Sequence, residues 1–232
     1  MPYTGIMCGR FVQYRPMAEV ASYLGVKQDH ILAADRPPRY NIAPSADILA
    51  VRTDPEGCRE LVCVRWGLVP AWAPEPRTGY AMINARAETV DTRPAFAPAF
   101  RRRRCLIPAD GWYEWQRVGA RARQPWYFHP HHDRPIAFAG LWEHWERGAQ
   151  TLDTGLVIVC AANALAAPIH DRMPVIVEAR DFALWLDPAT PRAAAKALLR
   201  PAAPESLYAY PVSRLVNSAT HEGPALIRRK EP

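Results

Sequence analysis

Four polar side chains in apolar or aromatic surroundings could do chemistry. They are Cys8 in Met7-Cys8-Gly9-Arg10-Phe11, Asn84 in Met82-Ile83-Asn84-Ala85-Arg86, Glu114 in Trp112-Tyr113-Glu114-Trp115, and His170 in Pro168-Ile169-His170-Asp171-Arg172-Met173-Pro174. A thiol, an amide, a carboxylate and an imidazole are a set that acyl transfer or aldehyde chemistry can use. Cys8 is singled out by its neighbour. Met7 can serve as a start residue, and methionine ahead of so small a residue is readily removed. That trimming, or an autolytic cut, would leave Cys8 with a free α-amine beside its thiol. Such a 1,2-aminothiol condenses with an aldehyde to an imine, and the thiol then closes a five-membered thiazolidine ring. Because both nucleophiles sit on one residue, ring closure is intramolecular, where effective molarities are very large. A carboxyl framed by tryptophans is desolvated, which raises its pKa toward neutrality, where histidine already titrates. Each residue also has a plain structural reading: Cys8 as a buried cysteine, Glu114 and His170 as hydrogen-bonded core groups, Asn84 as a cap.

Other clusters are less specific. His129, His131, His132 and Asp133 could suggest a metal, but their adjacent spacing around Pro130 reads as an exposed turn between strands. The run Arg101 to Arg104 is either a phosphate patch or a solvated helix end. Eight tryptophans exceed what a core of this size usually needs, so one or two could stack on unpaired bases. No cofactor and no metal is called for. The five cysteines are odd in number and scattered without a CxxC pair, which excludes a zinc ribbon or a disulfide framework and fits a reducing compartment.

These residues must be held by a fold, and composition bounds it. The chain has 232 residues, 49% of them hydrophobic, enough for one domain with a sizeable core. No apolar run approaches the roughly 20 residues needed to span a bilayer. The first residues lack the basic and apolar blocks of a signal peptide, so a cytoplasmic monomer without membrane contact is expected. A formal charge of +6 favours polyanionic partners.

Twenty-four prolines predict short elements and many loops. Helices are expected over 16–26, 94–104, 163–169, 181–186 and 192–199. Strands are expected at 48–52, 60–69, 82–85, 126–129, 136–142, 154–161, 175–178 and 207–212. Residues 105–116 read as strand, turn, strand, with the turn at Asp110-Gly111. The segments 35–45 and 70–79 read as irregular. Strands outnumber helices without regular alternation, which predicts an α+β fold with a curved, mostly antiparallel sheet or barrel-like core flanked by short helices.

Seven motifs in order carry a resemblance: MCGRF at 7–11, RYNIAPS at 39–45, RWGLVPAW at 65–72, INARAET at 83–89, RRCLIPADGWYEW at 103–115, IHDRMPVIV at 169–177 and VSRLVN at 212–217. The set resembles the SOS-response-associated peptidase (SRAP) family, which includes sensors of abasic sites in single-stranded DNA. The resemblance implies a single domain over 7–225, with 1–6 as an extension or a misassigned start. It implies that the N-terminal cysteine traps the ring-opened aldehyde of an abasic site as a thiazolidine DNA–protein crosslink. Carried over, Cys8 supplies amine and thiol, and Asn84 holds the amine or the sugar. Glu114 acts as acid–base and electrostatic partner, and His170 helps open the deoxyribose ring. Arg10, Arg86 and Arg172 would contact phosphates, where they would also favour the thiolate and the unprotonated amine of Cys8. Asn41, Trp72 and Trp115 join them as DNA-binding residues, the two tryptophans wedging against bases. The implied partner is single-stranded DNA with abasic sites, to which the protein would bring itself from the cytoplasm.

Three departures from the family pattern stand out. Met1 to Ile6 precede the expected initiator, and while they persist the nitrogen of Cys8 is an amide. Cys160 stands where a hydroxyl residue is common. An arginine found in some relatives falls near Arg93-Pro94. Two competing readings remain: a thiol peptidase using Cys8, His170 and Asn84, which needs no free amine, and a single-stranded DNA-binding module without chemistry.

Overall fold

The computed structural model describes residues 8–76, 82–119 and 122–231, so Met1 to Met7 and part of the 70–79 loop lie outside the described residues. In chain order the strands are β1 (Phe11–Gln13), β2 (Arg39–Ile42), β3 (Asp47–Thr53), β4 (Arg59–Trp66), β5 (Asn84–Arg86), β6 (Arg104–Ala109), β7 (Gly111–Val118), β8 (Ala122–Pro130), β9 (Ile136–Arg147), β10 (Gln150–Ala161), β11 (Arg172–Pro174), β12 (Ile176–Val177) and β13 (Leu207–Pro211). The α-helices are α1 (Met17–Leu24), α2 (Ala97–Arg102), α3 (Phe182–Leu186) and α4 (Arg192–Ala197). The architecture is the α+β one expected, mostly antiparallel sheet with short helices.

Five strands close on themselves. β10 pairs β4, β4 pairs β3, β3 pairs β6, β6 pairs β9, and β9 returns to β10. Closure leaves this barrel without a free edge. The other sheet runs β13-β8-β7-β1-β2 and is antiparallel throughout. The two bodies are sewn together by aromatic rings. Phe11 of β1 meets Trp66 of β4 edge-on at 4.9 Å and Phe138 of β9 at 5.9 Å. Trp112 of β7 stacks on Phe128 of β8 at 4.9 Å and meets Phe138 at 6.0 Å. Trp66, Trp112, Trp145 and Trp185 are all fully buried, so half of the eight tryptophans are core.

β10 is the hub. Its first part pairs β9; beyond Val157 its two edges take up β5 and β11 instead. That places Asn84 opposite Val157, Arg86 opposite Val159, and Arg172 opposite Ala161.

Several expectations are corrected. Residues 105–116 do not form a hairpin: β6 belongs to the barrel and β7 to the open sheet, and the chain changes sheets at Asp110. Asp110 is held there by Tyr14 N–H, Arg15 N–H and the Arg15 Nε, at 2.6, 3.3 and 2.8 Å. The helix expected over 94–104 shrinks to α2, because Arg104 is drawn into β6 with its guanidinium buried against the carbonyls of Phe100, Trp185 and Asp187. Arg103 is likewise committed, to Glu143 at 2.8 Å, which disposes of a four-arginine phosphate patch. The 163–169 segment is a set of turns capped by Asn163, whose Oδ1 accepts from Leu165 and Ala166 N–H. Within 35–45, read as irregular, Arg39–Ile42 is a strand against β1. The strand expected over 60–69 stops at Trp66, where Gly67 takes a φ of 133°. The His131–Asp133 turn is exposed as expected; Asp133 pairs with Arg15 and His131 stacks on Tyr208.

Candidate functional site

Cys8 lies just ahead of β1, alongside β7. The register sets Phe11 opposite Trp112, and Tyr113 N–H donates to the Arg10 carbonyl at 3.0 Å. Running back two residues brings Cys8 to Glu114. Alternation along β7 turns Trp112 and Glu114 to one face and Tyr113 and Trp115 to the other. Glu114 therefore enters the seam between the two sheets, where it is 1% exposed. The Cys8 main-chain N–H donates to its Oε1 at 3.1 Å. Cys8 itself is 4% exposed and has a φ of 42°, in the left-handed region that a β-carbon disfavours.

The electrostatics follow from burial. Desolvation pushes the Glu114 carboxyl up to about 8, against the hydrogen bonds from Cys8, with Asp171 adding to the rise. The same burial, reinforced by Glu114, pushes the Cys8 thiol well above its ordinary value. This overturns the expectation that nearby arginines favour a thiolate at Cys8: the carboxylate is the nearer group and the thiol is held protonated. Cys160 and Asp171 also raise the Cys8 thiol, so both sit within electrostatic reach. Burial lifts the Cys160 thiol up to about 12.

His170 follows the turns after β10. Its main-chain N–H donates to the Ala166 carbonyl at 2.9 Å. Its Nδ1 accepts from Arg172 N–H at 3.0 Å, which in the neutral ring leaves the proton on Nε2. Asp171 Oδ1 stands 3.2 Å from the same Nδ1. Asn84 is half-buried on β5, and Arg86, two residues on, shares its face and is exposed. Arg172 is held by Glu88 through an ion pair at 2.5 Å. Burial works against the Glu88 carboxyl, yet hydrogen bonds from its own backbone and from Arg172 hold it below its ordinary value.

The remaining candidates divide. Arg10 directs one terminal nitrogen to Asn41 Oδ1 and to the Val216 carbonyl, each at 2.7 Å, and the other to the Asn217 carbonyl at 3.3 Å. Asn41 is 2% exposed, and its amide donates to the carbonyls of Val216, Ser218 and His221. Expected as a DNA ligand, it instead spends its buried side chain on the 216–221 turn and on Arg10. Trp115 is half-buried and donates its Nε1–H to Asn217 Oδ1 at 2.8 Å. Trp72 is 60% exposed, the most open of the tryptophans. The structure thus brings Cys8 and Glu114 into contact, with Cys160 and Asp171 in electrostatic reach. Asn84 with Arg86, and His170 with Arg172, flank the end of β10. Sequence reasoning missed Asp171, Glu88 and Asn217. All three lie in motifs that were quoted, but Glu88 and Asn217 meet partners distant in sequence, and Asp171 acts electrostatically on Cys8 from across the fold.

The family model described as SOS response associated peptidase (SRAP) matches residues 7–219. The chain is 38% identical over 223 residues to the abasic site processing protein YoqW of Bacillus subtilis strain 168, covering 95% of this chain and 99% of that one. It is 30% identical over 227 residues to the abasic site processing protein YedK of Escherichia coli K12, covering 96% and 99%. A crystal structure of a protein from Bacteroides thetaiotaomicron shares the fold with a TM-score of 0.85 at 23% identity, covering 97% of this chain and all of that one.

Proposed function

Since the chain belongs to the SOS response-associated peptidase (SRAP) family, we propose that it processes abasic sites in DNA by trapping their aldehyde on Cys8. The observation that carries this reading is the contact between the Cys8 nitrogen and the buried Glu114 carboxylate at 3.1 Å. A peptidase needs an activated thiolate beside an imidazole. Here the thiol is held protonated, and the carboxylate is aimed at the nitrogen.

In the proposed reaction the substrate is single-stranded DNA, and the domain expected over 7–225 acts once residues 1–6 and then Met7 are removed, so that it begins at Cys8. The Nε2–H of His170 hydrogen-bonds the ring oxygen of the deoxyribose; as the bond from C1′ to that oxygen breaks, the C1′ hydroxyl gives up its proton and the ring oxygen takes one, leaving the open aldehyde and a 4′-hydroxyl. The free amine of Cys8 adds to C1′ to give a carbinolamine. Glu114, having taken the proton that the Cys8 ammonium gave up to become the free amine, passes it to the departing hydroxyl, which leaves as water. The resulting imine is attacked by the Cys8 sulfur while Glu114 takes the thiol proton. One water is lost and the thiazolidine nitrogen and sulfur both bond to C1′. Asn84 orients the sugar, Arg86 and Arg172 hold flanking phosphates with Arg10, and Trp72 and Trp115 pack against the neighbouring bases.

The test uses two forms, one beginning at Met1 and one at Met7, each mixed with single-stranded DNA carrying one abasic site. Intact mass spectrometry fixes the N-terminus, and denaturing electrophoresis reads the adduct. The expected result is a heat-stable band from the form with Cys8 at its terminus, absent with Cys8→Ala. No adduct from a verified N-terminal Cys8 would return the thiol peptidase to the front.

A further inference from the structure

Metal-binding potential lies away from the histidine-rich turn that suggested it in sequence. We infer that His30, Asp54 and Cys58 form a binding site for a thiophilic divalent cation of the Zn2+ class. A His30 ring nitrogen, an Asp54 carboxylate oxygen and the Cys58 sulfur all lie within 4.8 Å of one another. The imidazole and carboxylate are 3.6 Å apart, too far for a hydrogen bond but close to the edge of a tetrahedron drawn with metal–ligand bonds of about 2.0–2.3 Å.

The frame around these donors is already built. His30 closes a 3-10 turn, Gln28–His30, which is tied to β4 by Leu32 N–H and Ala33 N–H donating to the Leu61 carbonyl at 2.9 and 3.0 Å. Asp54 and Cys58 bracket the turn between β3 and β4. There Asp54 N–H donates to the Cys58 carbonyl at 2.9 Å, and Cys58 N–H donates to Asp54 Oδ1 at 2.7 Å. That last bond occupies one carboxylate oxygen and leaves Oδ2 facing the imidazole, the arrangement in which an outer hydrogen bond orients a ligand. Side-chain exposures of 27% for His30 and 11% for Asp54 give an ion an entry path. None of the three takes part in the hydrogen bonds around Cys8.

The donor set decides the ion. A thiolate and an imidazole are poor ligands for Mg2+ or Ca2+, which take oxygen, whereas Zn2+ accepts sulfur, nitrogen and carboxylate oxygen alike. Three protein ligands leave a fourth position for water. Binding would release the thiol proton and cross-link the 28–30 turn to the β3–β4 turn, stabilising the barrel end by mass action.

Co2+ is the probe, added to the intact chain, because a thiolate ligand gives it a charge-transfer band in the near ultraviolet. The expected result is a band that saturates at one equivalent and is bleached by Zn2+. Cys58→Ser removes it, His30→Gln lowers Co2+ affinity at least tenfold, and Cys63→Ser leaves it unchanged. Zn2+ also raises the melting temperature of the wild type and not of Cys58→Ser. Absence of the band, or a band surviving Cys58→Ser, would overturn the site. Should Cys58→Ser prove misfolded by circular dichroism, an unaltered affinity in His30→Gln overturns it equally.

Discussion

Glu114 shows what one residue contributes. Its carboxyl titrates near 8 in the folded chain against an ordinary value of 4.5, so between these pH values the folded state keeps a proton that the unfolded state releases. Folding stability from this group therefore falls as pH rises from about 4.5 to about 8, and is flat outside that window. In the form that retains residues ahead of Cys8, Glu114→Gln should weaken the loss of melting temperature between pH 5 and pH 8; identical pH dependence in both proteins would refute the burial argument. In the trimmed form the same substitution should slow crosslinking more than it weakens DNA binding, checked by single-turnover rates against binding titrations. Crosslinking should also slow below about pH 7, since a free α-amine has a pKa near ~7.7–8.0; a rate flat from pH 5 to 8 would contradict an amine nucleophile. The desolvation of Glu114 was legible from Trp112 beside it in sequence. The role of Asn41 was not, because its partners lie about 175 to 180 residues away and no local pattern announces them.

Among the elements, the passage from β6 to β7 matters most, since it carries Glu114 out of the barrel and into the sheet that holds Cys8. Gly111 opens β7 where a β-carbon would come within 2.3 Å of the Phe128 carbonyl and 2.5 Å of the Tyr127 hydroxyl. Gly111→Ala should destabilise by about 1–3 kcal/mol or more, as overpacking does, read by denaturant melts with β-sheet circular dichroism as the signal. A neutral substitution would mean that β7 and β8 can separate, and with them the seam around Glu114. In sequence this junction is indistinguishable from a hairpin, because a turn signal between two strands says nothing about which sheets they join. The strands of the barrel were legible from runs such as Ile48 to Arg52, where alternation and β-branching agree. β1 and β2 were not, being short and placed among prolines. α2 was overestimated because Arg104 favours a helix end locally but finds the distant carbonyls of Trp185 and Asp187 in the tertiary structure. β10 was recognised only from Thr154, yet its extension to Gln150 is what pairs it fully with β9.

For the molecule as a whole, the net charge of +6 sets how it would meet a nucleic acid. In the complex proposed above, Arg10, Arg86 and Arg172 on phosphates would release counterions, and for single strands each would contribute a slope of about −0.7 to log K against log salt, about −2 in all. Arg86→Ala should reduce that slope by about 0.7, measured by fluorescence anisotropy across salt concentrations. Trp72→Ala should leave the slope unchanged while lowering affinity by roughly 1–3 kcal/mol, the range for stacking on a base. A variant that lost slope and not affinity would place Trp72 outside the interface. Charge was legible from composition. Its distribution was not, since Arg103 and Arg104 turn inward and Arg172 is pinned by Glu88.

If Cys8 becomes the terminus as proposed, its backbone torsion would give the chain two energetic states. A φ of 42° is a relation between Cys8 and the carbonyl before it, and it disfavours a β-carbon by roughly 1–2 kcal/mol. At a true terminus that carbonyl is gone and the torsion relaxes of its own accord. The nitrogen that remains would become an ammonium against Glu114, exchanging a neutral hydrogen bond for an ion pair and drawing the carboxyl back down. Maturation would thus act like a spring and a latch: release of the preceding residue frees the torsion, and the new charge pair locks the terminus in place. The unprocessed chain should lose stability toward alkaline pH, and the processed one should hold it until the ammonium itself deprotonates.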